Sequence, residues 1–310
     1  MGHDVFSLGS YINPNSPQDV KRPAVVGDSH EKLQGIAIQC TKDNLHQELI
    51  DWADVIIWMH RPDWILNNWA KVKGKKCVWR SIGQSTKDVE SMLAIPRSEG
   101  LKLVRYSPEE RNIQGFLGED AIIRFYKDEN EFSGYTGVIP TVITVAQAMK
   151  SRGKSCGFEI FDQATKGLSR ALFGPQNEDS GISGGLLSYE DLKAAYRNYQ
   201  VYFYTGTYPA PYTLNFIEAM MTGIPIIAIG PQLADLHYFN GCTYEVSKII
   251  DNETSGFYSD DIGSLRTYLE KLLSHPEECK RIGENGRKTA IKLFGKEVVR
   301  EQWANFLNNL

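Results

Sequence analysis

Short apolar runs alternate with amphipathic stretches along the first part of the chain. Residues 46–53 have apolar positions at helical spacing. Runs of strand length occupy residues 4–9, 54–59, 77–82, 101–106 and 121–125. Because runs that are apolar throughout are typical of strands covered on both faces, the pattern predicts a parallel sheet flanked by helices over about the first 125 residues.

A second series of the same kind follows. It predicts helices at residues 158–166, at 192–198 and from 262 onward, and strands within residues 138–148 and at 169–173, 201–204 and 224–229. Ser188 precedes Glu190 and Asp191, which is the order expected of an N-cap and a first helical turn. The chain therefore reads as two α/β series in tandem.

Length and composition agree with two folded domains. The chain has 310 residues, and 42% of them are hydrophobic. The polar segment at residues 128–136, with Gly134 inside it, is the best candidate for an interdomain linker.

The formal net charge of −4 gives no general attraction for nucleic acid or anionic membranes. No apolar run approaches the roughly 20 residues of a membrane helix, and the N-terminus lacks the order of a signal peptide, so we expect a cytoplasmic protein. The 5 cysteines stand singly, which favours reduced thiols.

Residues 205–225 carry the most informative chemistry. A turn-rich loop leads from one predicted strand into a short helix that carries Glu218, and a second strand follows. Backbone N–H groups of Tyr212, Thr213 and Leu214, together with the helix dipole, would attract a diphosphate. Glu218, further along the helix, could accept hydrogen bonds from a ribose diol, so the segment predicts a nucleotide clamp.

Residues 218–225, Glu-Ala-Met-Met-Thr-Gly-Ile-Pro, resemble the signature of retaining glycosyltransferases of the GT-B fold, family 4 type. That signature is a glutamate, seven residues, a second glutamate and Ala-Met-Ala-x-Gly-x-Pro. The second glutamate matches Glu218, whereas the first falls on Ala210. In the family the first glutamate contacts the donor sugar. The chain therefore matches the family in the nucleotide-binding half of the site and differs from it in the sugar-binding half.

The resemblance implies two Rossmann-like domains facing a central cleft, and only the segment around Glu218 carries it specifically. The implied limits are 1–130 for the acceptor-side domain, 131–290 for the donor domain and 291–310 for a helix that packs back on the first domain. The family ordinarily has a strand, a glycine-rich loop and a helix before the segment that matches residues 2–5, so the resemblance implies that this first strand and helix are missing. An exposed strand edge there would allow a homodimer.

The resemblance also implies site residues. His60 matches a histidine that hydrogen-bonds the donor sugar near the reacting carbon, although a structural histidine at a strand end is the alternative. Gln147 and Arg152 fall on the arginine and lysine of the family's Gly-Arg-Leu and Lys-Gly positions. Arg152 would neutralise the departing diphosphate. Lys150 or Lys154 takes that role if the register differs by two residues, and a solvated basic loop is the alternative.

Gly174 begins the Gly-Pro-Gln-Asn loop that lies near the nucleoside in relatives, and a plain turn explains the same residues equally well. The neutral donors around Thr213 suit a metal-independent enzyme, because they can hold phosphate without a cation. The Asp-x-Asp pattern of the other large glycosyltransferase fold is missing, and Asp261 is interpreted as a helix cap. We therefore expect neither a metal nor a cofactor besides the sugar-nucleotide donor.

The acceptor side is less defined. Residues 81–84 and 107–110 follow strands of the first series and could contact an acceptor, although Ser107 with Glu110 also forms a capping-box pattern. The basic cluster at 71–76 with Arg80 could face an anionic acceptor, and a solvated loop is the alternative. Trp58 and Trp79 lie within strands, which favours core packing over a carbohydrate platform. The acceptor is left open among a saccharide, a lipid-linked sugar, a small molecule and a modified DNA base.

The leading hypothesis is a retaining, metal-independent glycosyltransferase that moves a sugar from a nucleoside-diphosphate sugar to a hydroxyl acceptor. The proposed catalytic residues are His60, Arg152 and Glu218. Two alternatives remain: a non-catalytic sugar-nucleotide-binding relative, favoured by Ala210, and a sugar-nucleotide epimerase.

Overall fold

The computed structural model describes residues 2–8, 33, 35, 36, 40, 41, 43–238 and 243–310. The chain divides into two compact units. The first comprises Met1–Ile123 and Gln302–Leu310, and the second comprises Arg124–Glu301. The predicted linker at residues 128–136 lies inside the second unit, and the division falls between Ile123 and Arg124.

The first unit is built on a parallel sheet with the strand order β1-β2-β3-β4. Its strands are β1 Val55–Trp58, β2 Lys76–Arg80, β3 Lys102–Arg105 and β4 Ala121–Ile122. Helix α1 Gln47–Trp52 precedes β1, helices α2 Pro62–Val72 and α3 Lys87–Ser98 connect the next strands, and a 3-10 helix spans Pro108–Asn112. These elements confirm the alternation that the apolar runs predict.

Aromatic side chains fill the core of the first unit. Trp58, Trp69 and Trp79 are buried in one cluster with Leu93 and Leu103. The tryptophans of β1 and β2 therefore pack in the core, as predicted, and do not form a carbohydrate platform.

One predicted strand of the first unit is wrong. Residues 4–8 form no strand, and Gly9 lies outside the described residues. Phe6 and Leu8 are half-buried against the hydrophobic clusters of the unit, and Phe6 meets the ring of Trp52 edge to face at 6.4 Å. The apolar residues of this segment pack by their side chains without joining the sheet, which a sequence pattern does not distinguish from strand pairing.

The second unit has a larger parallel sheet with the strand order β10-β9-β8-β5-β6-β7. Its strands are β5 Ile139–Val145, β6 Arg170–Phe173, β7 Ser183–Gly185, β8 Tyr199–Tyr204, β9 Ile226–Ile229 and β10 Phe257–Ser259. The chain runs outward from β5 to β7, returns to β8 on the other side of β5, and continues outward to β10. The strand order therefore reverses between β5 and β8.

Helices connect these strands and continue beyond them. They are α4 Met149–Arg152, α5 Phe158–Thr165, α6 Tyr189–Asn198, α7 Leu214–Thr222, α8 Pro231–Tyr238, α9 Val246–Ile249, α10 Ile262–Ser274, α11 Pro276–Phe294 and α12 Lys296–Asn308. Short 3-10 helices span Gly153–Cys156 and Glu178–Ser180. The last residues of α12 belong to the first unit.

The predicted helix starts are confirmed. Ser188 caps α6 by accepting the backbone N–H of Asp191 at 3.1 Å, and Asp261 caps α10 by accepting that of Ser264 at 2.7 Å.

Helix α11 comes very close to the end of α7, because a Cβ atom on Gly283 would lie 1.9 Å from the carbonyl oxygen of Gly223. Only glycine fits at this contact. The close approach packs the end of α7 against α11.

None of the helices in the described part of the chain has both the length and the apolar character that a bilayer-spanning helix needs.

Candidate functional site

The edge where β5 and β8 end is the place to look for a ligand in the second unit. In open parallel sheets, ligands bind outside the carboxyl ends of the strands where the strand order reverses. Here the loop after β5 contains Gln147 and leads into α4, which ends at Arg152, and the loop after β8 leads through Thr213 into α7. The two loops that the sequence singles out therefore leave neighbouring strands at this point.

The loop after β8 is fixed on one side by the 3-10 helix Gly153–Cys156. Thr205 Oγ1 donates to the carbonyl oxygen of Cys156 at 2.6 Å, and the backbone N–H of Tyr208 donates to that of Ser155 at 2.8 Å. The Cys156 thiol is buried near Thr207, and burial raises its pKa above the ordinary value. A thiol in this state is a structural group and a poor nucleophile.

On its other side the same loop is held by the segment before α9. Thr243 Oγ1 donates to the carbonyl oxygen of Pro209 at 2.7 Å, and the backbone N–H of Glu245 donates to that of Pro211 at 3.0 Å. The loop that precedes α7 is therefore anchored from both directions before any ligand arrives.

Tyr212 is an anchor by its side chain. It is 2% exposed, and its hydroxyl accepts a hydrogen bond from Arg124 at 3.1 Å. The Arg124 guanidinium forms a two-pronged ion pair with Glu245 and lies 5.5 Å from the ring centroid of Phe294. The side chain of Tyr212 therefore serves the fold.

The start of α7 is open. Thr213 has the extended backbone of an N-cap, but its side chain makes no capping hydrogen bond. Its hydroxyl instead contacts Oδ1 of Asn215, to which it can donate, and lies 3.2 Å from the hydroxyl of Tyr204. Asn215 Nδ2 donates to the carbonyl oxygen of Val145 at the end of β5, and Leu214 is exposed. An uncapped helix start of this kind presents backbone N–H groups and a positive dipole end to an anion.

Helix α4, which follows the loop after β5, ends in an exposed cation. Lys150 is engaged, because its Nζ donates to the carbonyl oxygen of Asp179 at 2.6 Å. Arg152 is exposed, and its guanidinium has no hydrogen bond or ion pair with any residue that the structure describes. This difference favours the register in which Arg152 takes the role of the family's cation.

Asn177 ties the loops after β5 and β6 together. It is fully buried, donates through Nδ2 to the carbonyl oxygens of Ala146 at 2.7 Å and Gly174 at 3.1 Å, and accepts the backbone N–H of Met149 at 2.8 Å. A Cβ atom on Gly174 would lie 2.2 Å from the oxygen of Ala146, so the loops can approach this closely only at glycine. Gln147 Nε2 donates to Gln176 Oε1 at 3.1 Å on the exposed surface beside them.

Glu218 lies on α7 with its carboxylate buried; the residue is 6% exposed. Its Oε1 is 2.5 Å from Lys127 Nζ, and its Oε2 accepts from the hydroxyl of Tyr196 at 3.4 Å. The hydroxyl of Tyr189 lies in the same neighbourhood, and burial, followed by the charges of Glu218 and Glu131, raises the pKa of that phenol well above its usual range. The site around Glu218 is thus a carboxylate with one cation and two neutral phenols.

His60 belongs to the first unit and follows β1 there. Its backbone has φ +66°, and its Nδ1 is 3.1 Å from Oε1 of Gln84, which follows β2. The side chain is exposed at the carboxyl edge of the sheet. The structure therefore brings together two residues that the sequence places after neighbouring strands.

The other acceptor-side candidates of the first unit serve the fold. Glu110 accepts hydrogen bonds from Ser81 at 2.8 Å and Ser85 at 3.2 Å, and with Ser107 it completes the predicted capping box. Burial raises the pKa of the Glu110 carboxyl, against the lowering effect of nearby Arg105. The side chains of Ser81, Ser107 and Glu110 make hydrogen bonds within the buried interior, so they are not available to bind an acceptor.

The basic cluster of residues 71–76 with Arg80 does not form a single surface. Lys73 pairs with Glu99 at 3.5 Å, and Lys75 donates to the carbonyl oxygen of Asp51 at 3.2 Å. Arg80 is buried, with its guanidinium 5.9 Å from the ring centroid of Trp303. The interpretation as a platform for an anionic acceptor therefore gains no support.

Sequence reasoning missed Lys127, Arg124 and the hydrogen bonds by which Asn177 joins the loops after β5 and β6. Lys127 and Arg124 carry no local signal, because their partners lie far along the chain. Asn177 stands in the Gly-Pro-Gln-Asn loop, and a polar side chain in the loop after a strand is the signal that could identify it. Among the described residues, no group of three or more His, Cys, Asp and Glu side chains could hold a metal ion. Metal independence stays a prediction.

Comparisons with solved structures identify the fold. The chain is similar to sucrose-phosphate synthase from Thermosynechococcus elongatus, with a TM-score of 0.62 and 16% identity over 83% of this chain and 73% of that one. It is also similar to HepE of Anabaena in complex with UDP-glucose, with a TM-score of 0.63 and 14% identity over 85% and 81% of the two chains. The chain has the GT-B fold.

A glycosyltransferase from Rickettsia africae has the same fold, with a TM-score of 0.62 and 14% identity over 91% of this chain and 83% of that one. In sequence, 116 residues are 29% identical to MMP alpha-(1->4)-mannosyltransferase of Mycolicibacterium hassiacum. That match spans 37% of this chain and 26% of the mannosyltransferase, so the similarity covers about a quarter of the relative's length. No family model matches the chain.

Proposed function

We propose that this protein is a metal-independent, retaining glycosyltransferase that moves a sugar from a nucleoside-diphosphate sugar to a hydroxyl acceptor. One observation carries the proposal. At the point where the strand order of the second unit reverses, β5 leads to the exposed Arg152 at the end of α4, and the adjacent β8 leads to the uncapped helix start at Thr213. A cation and a set of neutral N–H donors at one such edge suit a diphosphate.

The GT-B fold adds support. HepE, which shares that fold with this chain, has been solved with UDP-glucose, with UDP and with UDP and glucose. A curated relative is a mannosyltransferase. A sugar-nucleotide donor is therefore the substrate class that agrees with both the site and the similar proteins.

In the proposed reaction, the bond between the anomeric carbon and the phosphate oxygen breaks while the acceptor oxygen attacks from the same face. Negative charge grows on the departing diphosphate, and Arg152 with the N–H groups at Thr213 and Leu214 stabilises it more in the transition state than in the ground state. The departing phosphate oxygen takes the proton of the acceptor hydroxyl. Glu218 holds the ribose.

A second candidate is a relative that binds sugar nucleotides without turning them over. Ala210 favours it, because the matching residue of the family is a glutamate that contacts the donor sugar. Ala210 lies in a tight turn, where its backbone N–H donates to the carbonyl oxygen of Thr207 at 2.7 Å. A methyl group there offers no hydrogen bond to a sugar.

The experiment that tests the proposal is release of nucleoside diphosphate from UDP-, GDP-, ADP- and dTDP-sugars by the purified chain. We expect turnover of one donor and a loss of about 100-fold or more in Arg152→Met, the usual cost of removing a group that stabilises developing charge. Lys292→Met is the matched control, because Lys292 is an exposed cation on α11. Binding without turnover would favour the second candidate, and neither binding nor turnover would refute both.

A further inference from the structure

The carboxylate of Glu218 is held by two groups that no sequence motif includes. Lys127 Nζ is 2.5 Å from Oε1, and the Tyr196 hydroxyl donates to Oε2 at 3.4 Å, a long hydrogen bond. Tyr196 is fully buried, and the side chain of Lys127 is 16% exposed. One group therefore engages each oxygen.

The lysine is itself positioned by the fold. Its backbone N–H donates to the carbonyl oxygen of Phe294 at 3.0 Å, and its Nζ lies 5.3 Å from the ring centroid of Phe132. Arg287 of α11 donates to the carbonyl oxygens of both Phe132 and Met221, which join the segment after Lys127 to the end of α7. Lys127 and Glu218 are thus parts of one cross-linked assembly within the second unit.

The number of hydrogen-bond acceptor positions on the Glu218 carboxylate indicates how many remain for a ligand. An ionised carboxylate offers about four lone-pair positions, two on each oxygen. Lys127 uses one on Oε1 and Tyr196 uses one on Oε2. One position per oxygen remains, which is the number that the two hydroxyls of a ribose require.

We propose that Lys127 is a positioning residue that, together with Tyr196, fixes the Glu218 carboxylate for recognition of the 2′,3′-diol of a nucleoside diphosphate. Lys127 and Tyr196 hold the carboxylate in one orientation, which leaves one lone pair on each oxygen for the ligand. Lys127 acts through Glu218 and does not itself touch the nucleotide. This inference rests on the proposed function, because it requires a nucleotide at the start of α7.

The test is calorimetric titration of the full chain with UDP, GDP and ADP, each compared with its 2′,3′-dideoxy form. For the base that binds, we expect wild type to prefer the ribose form by about tenfold or more, since hydrogen bonds to a charged group are strong. Lys127→Met should reduce this preference to below about threefold and leave the affinity for the dideoxy form nearly unchanged. Lys127→Arg should restore most of it, and Tyr196→Phe should weaken it to a smaller degree.

The preference ratio separates positioning from general support of the fold. A structural lysine would lower the affinity for both forms alike when it is replaced. Lys102→Met is the control, because Lys102 pairs with Asp120 at 3.3 Å in the first unit. That variant should keep the wild-type preference.

The outcomes distinguish the two proposals. Wild type without affinity for any nucleotide overturns the proposed function, and the role of Lys127 with it. Wild type that binds but does not prefer ribose, or that prefers it equally in Lys127→Met, overturns the role of Lys127 alone. Tighter binding of the ribose form by Lys127→Met also overturns it, because Lys127 would then compete with the ligand for Glu218.

Discussion

Asn177 donates to the carbonyl oxygen of Ala146 at 2.7 Å and thereby fixes the end of β5 against the loop that follows β6. The same side chain also holds Gly174 and the backbone of Met149, where α4 begins. Because α4 ends at Arg152, the direction in which that cation projects depends on a buried amide one strand away. The candidate site is therefore shaped by groups that need not touch the ligand.

Replacing Asn177 should destabilise the second unit and weaken nucleotide binding together. Asn177→Ala removes three hydrogen bonds of about 1 kcal/mol each and leaves buried backbone groups unpaired, so we expect the free energy of unfolding to fall by about 2–4 kcal/mol. Urea unfolding and calorimetry measure the two effects. The neighbouring Gln176→Ala removes an exposed bond and should change stability by no more than about 0.5 kcal/mol. Equal effects of Asn177→Ala and Gln176→Ala would refute the stabilising role of the Asn177 hydrogen bonds.

The buried ion pair of the first unit should be costly to break. Arg105 donates to both carboxylate oxygens of Glu90 at 2.7 and 2.8 Å, and the two side chains are 0% and 1% exposed. Arg105→Met leaves Glu90 charged and buried, so the free energy of unfolding should fall by about 3–5 kcal/mol. Arg111→Met, which breaks an exposed pair with Glu119, should have a much smaller effect, because water screens the pair. A loss below about 1 kcal/mol in Arg105→Met would contradict this account.

Acid should remove the contribution of a surface pair at the start of α11. The hydrogen bond from Arg281, opposed by partial burial and helped by Lys271, lowers the pKa of Glu278 from 4.5 to about 2. A carboxyl whose pKa is lower in the folded state adds stability above pH 4.5, and that stability is lost as the pH falls toward 2. Glu278→Gln should therefore be less stable than wild type at pH 7, by under about 1 kcal/mol because the partners are half exposed.

The difference between Glu278→Gln and wild type should shrink steadily in unfolding experiments at successively lower pH. A difference that stayed constant down to the acid limit of the folded state would exclude the ion pair as its cause.

Restoring the missing glutamate should strengthen the sugar half of the site. Ala210 stands where the glycosyltransferase signature has a glutamate that contacts the donor sugar. Since the turn at this position uses backbone hydrogen bonds, Ala210→Glu should fold normally. We expect it to bind a nucleotide sugar at least several-fold more tightly than wild type does, with unchanged affinity for the free diphosphate. Ala210→Gln tests whether the charge is required, and equal gains for sugar nucleotide and free diphosphate would count against a sugar contact.

Much of the fold was accessible from the sequence. The inner strands of both sheets lie in short apolar runs, because parallel strands covered on both faces need no polar side. The edge strands β7 and β10 carry no such run and were not predicted. The caps at Ser188 and Ser107 were predictable from local spacing, because a capping side chain reaches a backbone N–H only a few residues ahead. The strand predicted at residues 4–9 was wrong. A segment that only packs its side chains on the core has the same apolar residues as a segment that pairs as a strand, so the sequence pattern does not separate the two.

The site was predictable only in part. The loop at Thr213, the helix that carries Glu218 and the cation at Arg152 all lie beside strand ends that the sequence marks. The partners of Glu218 and Tyr212 could not be foreseen, because Lys127 and Arg124 reach them across the fold from a segment without any pattern of its own.

The most direct test of the central claim is nucleotide-induced thermal stabilisation of wild type and Glu218→Ala, with UDP, GDP, ADP and dTDP. A ligand at about 100 times its dissociation constant should stabilise the folded chain by about 2.7 kcal/mol. We predict that one ribonucleoside diphosphate raises the melting temperature of wild type and of Lys292→Met, and that Glu218→Ala loses most of this shift. No stabilisation of wild type by any of the four, or an undiminished shift in Glu218→Ala, would contradict a nucleotide clamp at the start of α7.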